Sequence, residues 1–428
     1  YYTASSSLAP GFTATDVYSP YTPGGLSGSS APLSTLYPSG LAAPTGNSLG
    51  YATQLGSTVS FLDQFRRYAF IQQYSIDMEH ELPFRMAFKI GYAGAKGRNL
   101  QVSTTGTTGY NINQLPDQYM SAYTIKQLSS TCSTAIAQGY APAQCSSAAG
   151  SATLNQALRP FEGFSSVTAL GSPAKSLYNS LVVRLEKSAS HGLSFLATYT
   201  WSSNWDSVFG TGSTINSGST AAQDANNLGA EYARSIIDMP QRFTVGASYD
   251  LPAGVGRSYL NHNGWLDLVI GGWTLNAVGI KQSGAPLSLS MNSNGIAAVG
   301  ASIQHPSWAP GASSAIARKK GRAEGRMNAY FDKTQFVTPG SGSYYAYGNV
   351  PRTISALGPG LDSWDLSIFK TRKIKEFISL QFRAEAINAF NTPQFGAPNV
   401  KIGNANAGVI SSQVNLPRYL QLGGQLSF

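Results

Sequence analysis

The sequence predicts an all-β chain, a transmembrane antiparallel β-barrel of roughly 12 to 16 strands with long extracellular loops. Three observations predict it: oily and polar side chains alternate at every second position, charge is scarce without any long apolar run, and short connections alternate with long ones.

Charged residues make up only 11% of the 428 residues and hydrophobic residues 42%. A soluble domain carries about 25% charged residues, and a helical membrane protein shows uninterrupted apolar runs of about 20. Neither pattern is present: the run from Trp265 to Ile270 is short and broken by Asp267. Low charge with many Gly, Tyr and Phe residues suits a barrel that hides its lipid-facing side chains by alternation.

The strands follow in order. Tyr74, Ile76 and Met78 oppose Gln73, Ser75, Asp77 and Glu79; after a turn at Leu82-Pro83, Met86, Phe88, Ile90 and Tyr92 oppose Arg85, Ala87, Lys89 and Gly91. Leu181, Val183 and Leu185 oppose Ser180, Arg184 and Glu186, and a short turn leads into Leu193, Phe195, Ala197, Tyr199 and Trp201. Phe243, Val245, Ala247 and Tyr249 oppose Arg242, Thr244, Gly246, Ser248 and Asp250. The stretch from Leu266 to Gln282 reads as one further strand with weak alternation. Trp364, Leu366 and Ile368, then Ile378, Leu380, Phe382, Ala384 and Ala386, precede a last strand with Leu420, Leu422, Leu426 and Phe428 on one face.

That makes nine strands. If the last descends to the periplasm, the first descends too, so an ascending strand is expected before Phe70 and others within the long segments. Residues 1–66 are read as an N-terminal barrel segment and loop, and 67–428 as barrel.

Alternation alone also fits a soluble sandwich; the connections argue against it. Leu82 to Phe84, Ser188 to Gly192, Pro252 to Gly264 and Thr371 to Phe377 are short or moderate, whereas Lys96 to Ser176, Ser203 to Gln241, Met291 to Leu361 and Asn391 to Leu416 are long and polar. Outer-membrane barrels have short periplasmic turns and longer outside loops. Aromatics fall where interface girdles belong: Tyr199, Trp201, Phe243 and Trp364 beside the long loops, Tyr249 and Phe428 at the opposite ends.

The charges Arg184, Glu186, Arg242, Asp250, Arg383 and Glu385 share the polar faces and are expected to point into the lumen. An Arg or Lys facing lipid at the midplane costs about 2–4 kcal/mol, which suffices to turn them inward. A net charge of +9 raises nucleic-acid binding, but no recognition motif accompanies it. The basic cluster Arg318, Lys319, Lys320, Arg322 and Arg326 reads as a solvated loop or a contact to anionic lipid headgroups. Cys132 and Cys145 lack nearby His ligands; in an oxidising compartment a disulfide between them would contribute about 3 kcal/mol, the alternative being two free thiols. His80, His191, His262 and His305 fit no metal spacing, and no nucleophile motif or acid–base pair stands out, so neither enzyme nor cofactor is expected.

Several segments resemble the TonB-dependent receptor-like barrels of the Oar-like group: Leu36 to Pro44 with Ser48 to Gly50, Gln72 to Asn99, Tyr178 to Lys187, His191 to Trp201, Asp238 to Phe243, Gly271 to Trp273, Gln282 to Pro286, Trp364 to Lys370 and Gln381 to Asn391. Their order and spacing run through nearly the whole chain. The resemblance implies energy-coupled uptake across the bacterial outer membrane. It also implies a plug domain and a TonB-engaging segment, which have no counterpart between Tyr1 and Phe428, so both are expected as partners only if a further N-terminal part exists. Leu420, Leu422, Leu426 and Phe428 resemble the signal read by the barrel assembly machinery, an edge strand offered for pairing. Tyr1 opens without a signal peptide, so the leader is expected to have been removed or to lie upstream. Two other classes stay open: a passive porin or structural surface barrel, and a secreted soluble β-rich adhesin.

Overall fold

The computed structural model describes residues 46, 48–50, 53–100, 103–104, 107–146, 151–207, 222–259, 264–317, 319–340, 342–375 and 378–428. The segment Leu36 to Pro44, His262 and Arg318 lie outside them, as do most of residues 1–52.

Alternating apolar and polar side chains favour extended backbone with one face of each kind. Nine long strands result: β1 (Phe70–Leu82), β2 (Met86–Leu100), β3 (Ala174–Ser190), β4 (Leu193–Asp206), β5 (Gln241–Asp250), β6 (Trp273–Gln282), β7 (Leu361–Lys375), β8 (Ile378–Ile387) and β9 (Tyr419–Ser427). Each pairs antiparallel with its sequence neighbours in one meandering sheet, with β1 and β9 at its two edges and Ala233–Arg234 as a short tenth member beside β4. Among the described residues the two edges do not pair with each other. Among the described residues, no helix is long and apolar enough to cross a membrane.

Tight turns set the register. His191 and Gly192 both have positive φ (52° and 80°), the left-handed pair that a two-residue hairpin needs. A Cβ on Gly192 would stand 2.7 Å from the Asp250 carbonyl oxygen, so the position also requires glycine sterically. Phe84 and Arg85 make the corresponding bend between β1 and β2, and the Lys187 ammonium donates to the Phe84 carbonyl at 2.7 Å.

Because a one-residue slip would turn every side chain over, the registers decide what each face is. Ile76 pairs with Tyr92, Tyr92 with Leu181, Leu181 with Trp201; Tyr199 pairs with Phe243, Val245 with Gly279, Gly279 with Trp364; Leu366 pairs with Ala386 and Ala386 with Leu420. Every oily row therefore lies on one continuous face. That face is not a core: Leu422 is 73% exposed, Ile76 72% and Leu380 46%, while Phe195 and Val245 are half-buried and belong to no buried cluster. Among the residues whose burial is described, Ala174 is the one buried hydrophobic side chain that comes from a long strand. Keeping such a surface in water forfeits about 25 cal/mol per Å² of apolar area, so the face calls for an apolar solvent.

The molecule's hydrophobic cores sit in the long connections, all at one end of the sheet. One cluster gathers Leu287, Leu289, Phe331, Ile354, Val400 and Ile402 from the segments after β6 and after β8. A second gathers Leu115, Leu128, Leu154, Ile296 and Val299, with Cys132 and Cys145 joined in a disulfide whose Cα atoms are 5.3 Å apart, and a small third joins Ala174 and Ala222.

One sequence reading needs correction. The strand expected from Leu266 starts only at Trp273: Trp265–Ile270 is a short helix, ended by Gly271 and by Gly272 with φ of 72°, and held by the Arg372 guanidinium donating to Asp267 at 2.6 Å. The strand found before Phe70, Thr58–Leu62, runs parallel to Ser166–Leu170 in a separate small sheet with Tyr110–Asn111. Apart from Ala233–Arg234 beside β4, the described strands in the long segments likewise pair among themselves, outside the main sheet. They are too short, and too committed to the loop cores, to extend it.

Candidate functional site

The nine strands give the sheet a polar face opposite the oily one, and the registers bring all six expected charges onto it. They are largely satisfied by their neighbours. Arg184 pairs with Glu186 at 2.6 Å, two residues along the same strand face. Asp250 accepts from Arg257 at 3.1 Å and from the Thr274 hydroxyl at 2.7 Å. Arg383 donates to Gln381 and Gln425 and lies 5.4 Å from the Phe369 ring centre. Glu385 stands between Ser367 and Gln421, and Arg242 between Thr200 and Gln282.

Charges on the oily face occur only towards the strand ends. Lys281 and Asp362 pair at 3.3 Å at the long-loop end, while Lys370 donates to the Gly271 carbonyl at 2.7 Å at the other. Asp362 and Lys370 bracket Trp364, Leu366 and Ile368; their separation is roughly 27 Å along an extended strand, close to the height of a barrel's apolar band.

The aromatics take distinct places. Tyr199 and Phe243 are direct cross-strand neighbours, and Trp201 stands one pair further up. Trp364 lies across Gly279, where an added Cβ would meet the indole at 2.5 Å, and donates to Asp362 at 3.0 Å. Tyr249 sits at the short-turn end beside Leu193 and Leu275. Leu420, Leu422 and Leu426 pair with Ala386, Ala384 and Leu380, and Phe428 beyond them is fully open.

Above the sheet, the long connections lock into a cap through buried polar groups that sequence reasoning missed. His305 Nε2 lies 3.2 Å from Glu231 Oε2 and its Nδ1 3.1 Å from the Leu289 carbonyl. Gln223 takes the backbone N–H groups of His305 and Gly348, both at 3.1 Å, and donates to the Gly348 carbonyl at 2.7 Å. Gln114 accepts from Ala225 N–H at 2.7 Å and donates to Gly300 at 3.3 Å. Arg352, buried, ties the cap to the top of β4 by donating to the Asp206 carboxylate and carbonyl and to the Glu231 carbonyl. These partners lie up to 146 residues apart, so no local spacing announces them. Burial raises the Asp224 and Tyr347 pKa values, and Asp117 is raised for the same reason. Among the described residues, no group of three or more acidic, His or Cys side chains is arranged to hold a metal.

An antiparallel sheet with an exposed oily face, bracketed by charges and aromatics and capped at one end, defines the membrane β-barrel class. The chain belongs to the outer membrane beta barrel domain family, which it matches over residues 1–421, and it is a bacterial outer-membrane protein. No curated protein matches the sequence. Among solved structures, the outer membrane transporter YddB from Escherichia coli aligns at 6% identity with a TM-score of 0.41, over 88% of this chain and 35% of that one. The ferripyoverdine receptor of Pseudomonas aeruginosa aligns at 10% identity and a TM-score of 0.35, over 85% and 29%. The ferric citrate transporter FecA aligns at 11% and 0.34, over 84% and 31%. The chain thus spans about a third of the length of these proteins.

Proposed function

We propose that the chain is the membrane-embedded, C-terminal barrel portion of a TonB-dependent receptor-like protein of the Oar-like kind, whose cap meets a ligand outside the cell. One observation carries the reading: nine strands share a single exposed oily face, and every long connection folds together at one end of them. In this reading the polar face with Arg184, Glu186, Arg242, Asp250, Arg383 and Glu385 lines the lumen. Tyr199, Trp201, Phe243 and Trp364 lie at the outer interface, with Tyr249 and Phe428 at the inner one. β9, an edge strand with exposed Leu420, Leu422, Leu426 and Phe428, is what the assembly machinery engages. TonB and a plug act on it only through a further N-terminal part.

The test compares spent growth medium, by untargeted mass spectrometry, from cells with the gene, without it, and with it but lacking TonB. A compound consumed only when both are present is expected. Consumption that is independent of TonB would turn the reading into a passive pore, and identical media would remove the transport role.

A further inference from the structure

Lys319, Lys320 and Arg326 surround one concavity of about 380 Å³, closed on its far side by Ser283, Gly284 and the 356–360 segment. Ser283 directly follows the last residue of β6 and Gly360 directly precedes β7, so the pocket stands on the strand ends. Those same ends carry the Lys281–Asp362 ion pair and the Trp364 indole.

The pocket's positive charge is only partly offset nearby: after the Thr334 hydroxyl, the Lys319 ammonium helps to hold the Asp332 carboxyl below its usual range, but no direct ion pair forms between the two. Among the described residues, neither lysine nor Arg326 is in an ion pair. Glu324 pairs instead with Arg322 at 3.8 Å, and the Asp332 oxygens accept from the Thr334 hydroxyl at 2.7 Å and the Gln335 amide at 3.0 Å. Arg326 is set in place: its guanidinium stacks 4.2 Å from the Tyr330 ring centre and donates to the Lys319 and Arg322 carbonyls at 2.5 and 3.4 Å. The lysine ammonium groups are exposed and each brings three donors. Three cations gathered at one concavity repel each other unless an anion with several acceptor oxygens sits among them. A phosphate group supplies both the charge and the oxygens, and one fixed guanidinium with two mobile ammonium groups suits its tetrahedral shape.

We propose that this pocket binds a phosphate group, carried either by a lipid headgroup at the membrane surface or by a small soluble compound. The position at the strand ends is compatible with both sources.

The test uses the full protein in an uncharged detergent and two probes. Inorganic phosphate is titrated calorimetrically; phosphatidic acid, with phosphatidylcholine as the control, is counted on the protein by native mass spectrometry. Binding of phosphatidic acid without inorganic phosphate assigns the site to a lipid headgroup, and binding of inorganic phosphate assigns it to soluble phosphate chemistry. In either case the K319Q/K320Q variant is expected to weaken binding about tenfold or more, and added salt to weaken it further. These side chains are exposed and lie outside the cap cores, so the variant should keep the heat-modifiable gel mobility of the folded protein. R326K, which keeps the charge but loses the planar fork, should fall between the two. Binding of neither probe, or wild-type binding by the folded double variant, would overturn the proposal.

Discussion

His305 Nε2 and Glu231 Oε2 lie 3.2 Å apart with both side chains almost fully buried, joining two connections that leave different strand pairs. The other imidazole nitrogen meets the Leu289 carbonyl, and the second Glu231 oxygen accepts from Gln223 N–H at 3.0 Å. Removing one member leaves the other buried without its partner, which costs about 3–5 kcal/mol. His305→Ala is therefore expected to loosen the cap while the main sheet stays protected. Hydrogen exchange measured by mass spectrometry should quicken in 222–235 and 285–305 but not in β3 to β6; unchanged exchange in those cap peptides would contradict the assigned role.

Reducing the Cys132–Cys145 bond releases a loop of about 14 residues, worth about 3 kcal/mol in the chain-entropy account. The loss falls on the cluster around Leu115, Leu128 and Leu154. Limited trypsin digestion after dithiothreitol, or of C132S/C145S, should cut faster after Lys126. An identical digestion pattern would mean the cluster holds without its crosslink.

Leu422 and Gln421 are adjacent on β9 and face opposite ways. Leu422→Arg places a cation on the oily face near mid-strand and is expected to cost about 2–4 kcal/mol in a bilayer. Gln421→Arg, beside Glu385, is expected to cost far less. The folded fraction in lipid vesicles, read from heat-modifiable gel mobility, separates them. Equal losses would deny that the two faces meet different solvents.

Arg372's hydrogen bond, helped by the Val255 N–H, holds the Asp267 carboxyl below its usual range. Its folded pKa is thus lower than the unfolded value of about 3.9. The contact's contribution is fully present above pH ~4 and is lost as pH falls through the lower, folded value. Below about pH 4, as pH falls through the depressed Asp267 value, the turn around Trp265–Ile270 should open in the wild type. Asp267→Asn should remove that acid step, followed through Trp265 fluorescence against the wild-type curve. A variant with the same acid transition would show that Asp267 does not drive it.

Much of the membrane part was legible in the sequence, because a strand's period of two is local. Phe88, Val183, Val245, Leu366 and Leu380 each mark their strand and its oily side without reference to any other segment. The helix at Trp265–Ile270 was misread because a six-residue apolar run carries too little period to tell helix from strand, and Gly271, Gly272 and Arg372 decided it. The long polar connections hid the cap cores. Leu154, Ala157 and Leu158 do recur at helical spacing, and Thr124 with Gln127 forms a capping box, but one turn of helix is a faint signal.

The amino-acid sequence by itself determined nine strands, the sidedness of all but the one ending at Gln282, and the end at which the long connections leave, since alternation and turn residues act over a few neighbouring positions. Tertiary structure alone decided that these sides merge into one oily face and that the connections close into a cap on Gln223, Glu231, His305 and Arg352. Those choices depend on register and on buried polar partners drawn from distant segments, and both are settled only when the chain packs.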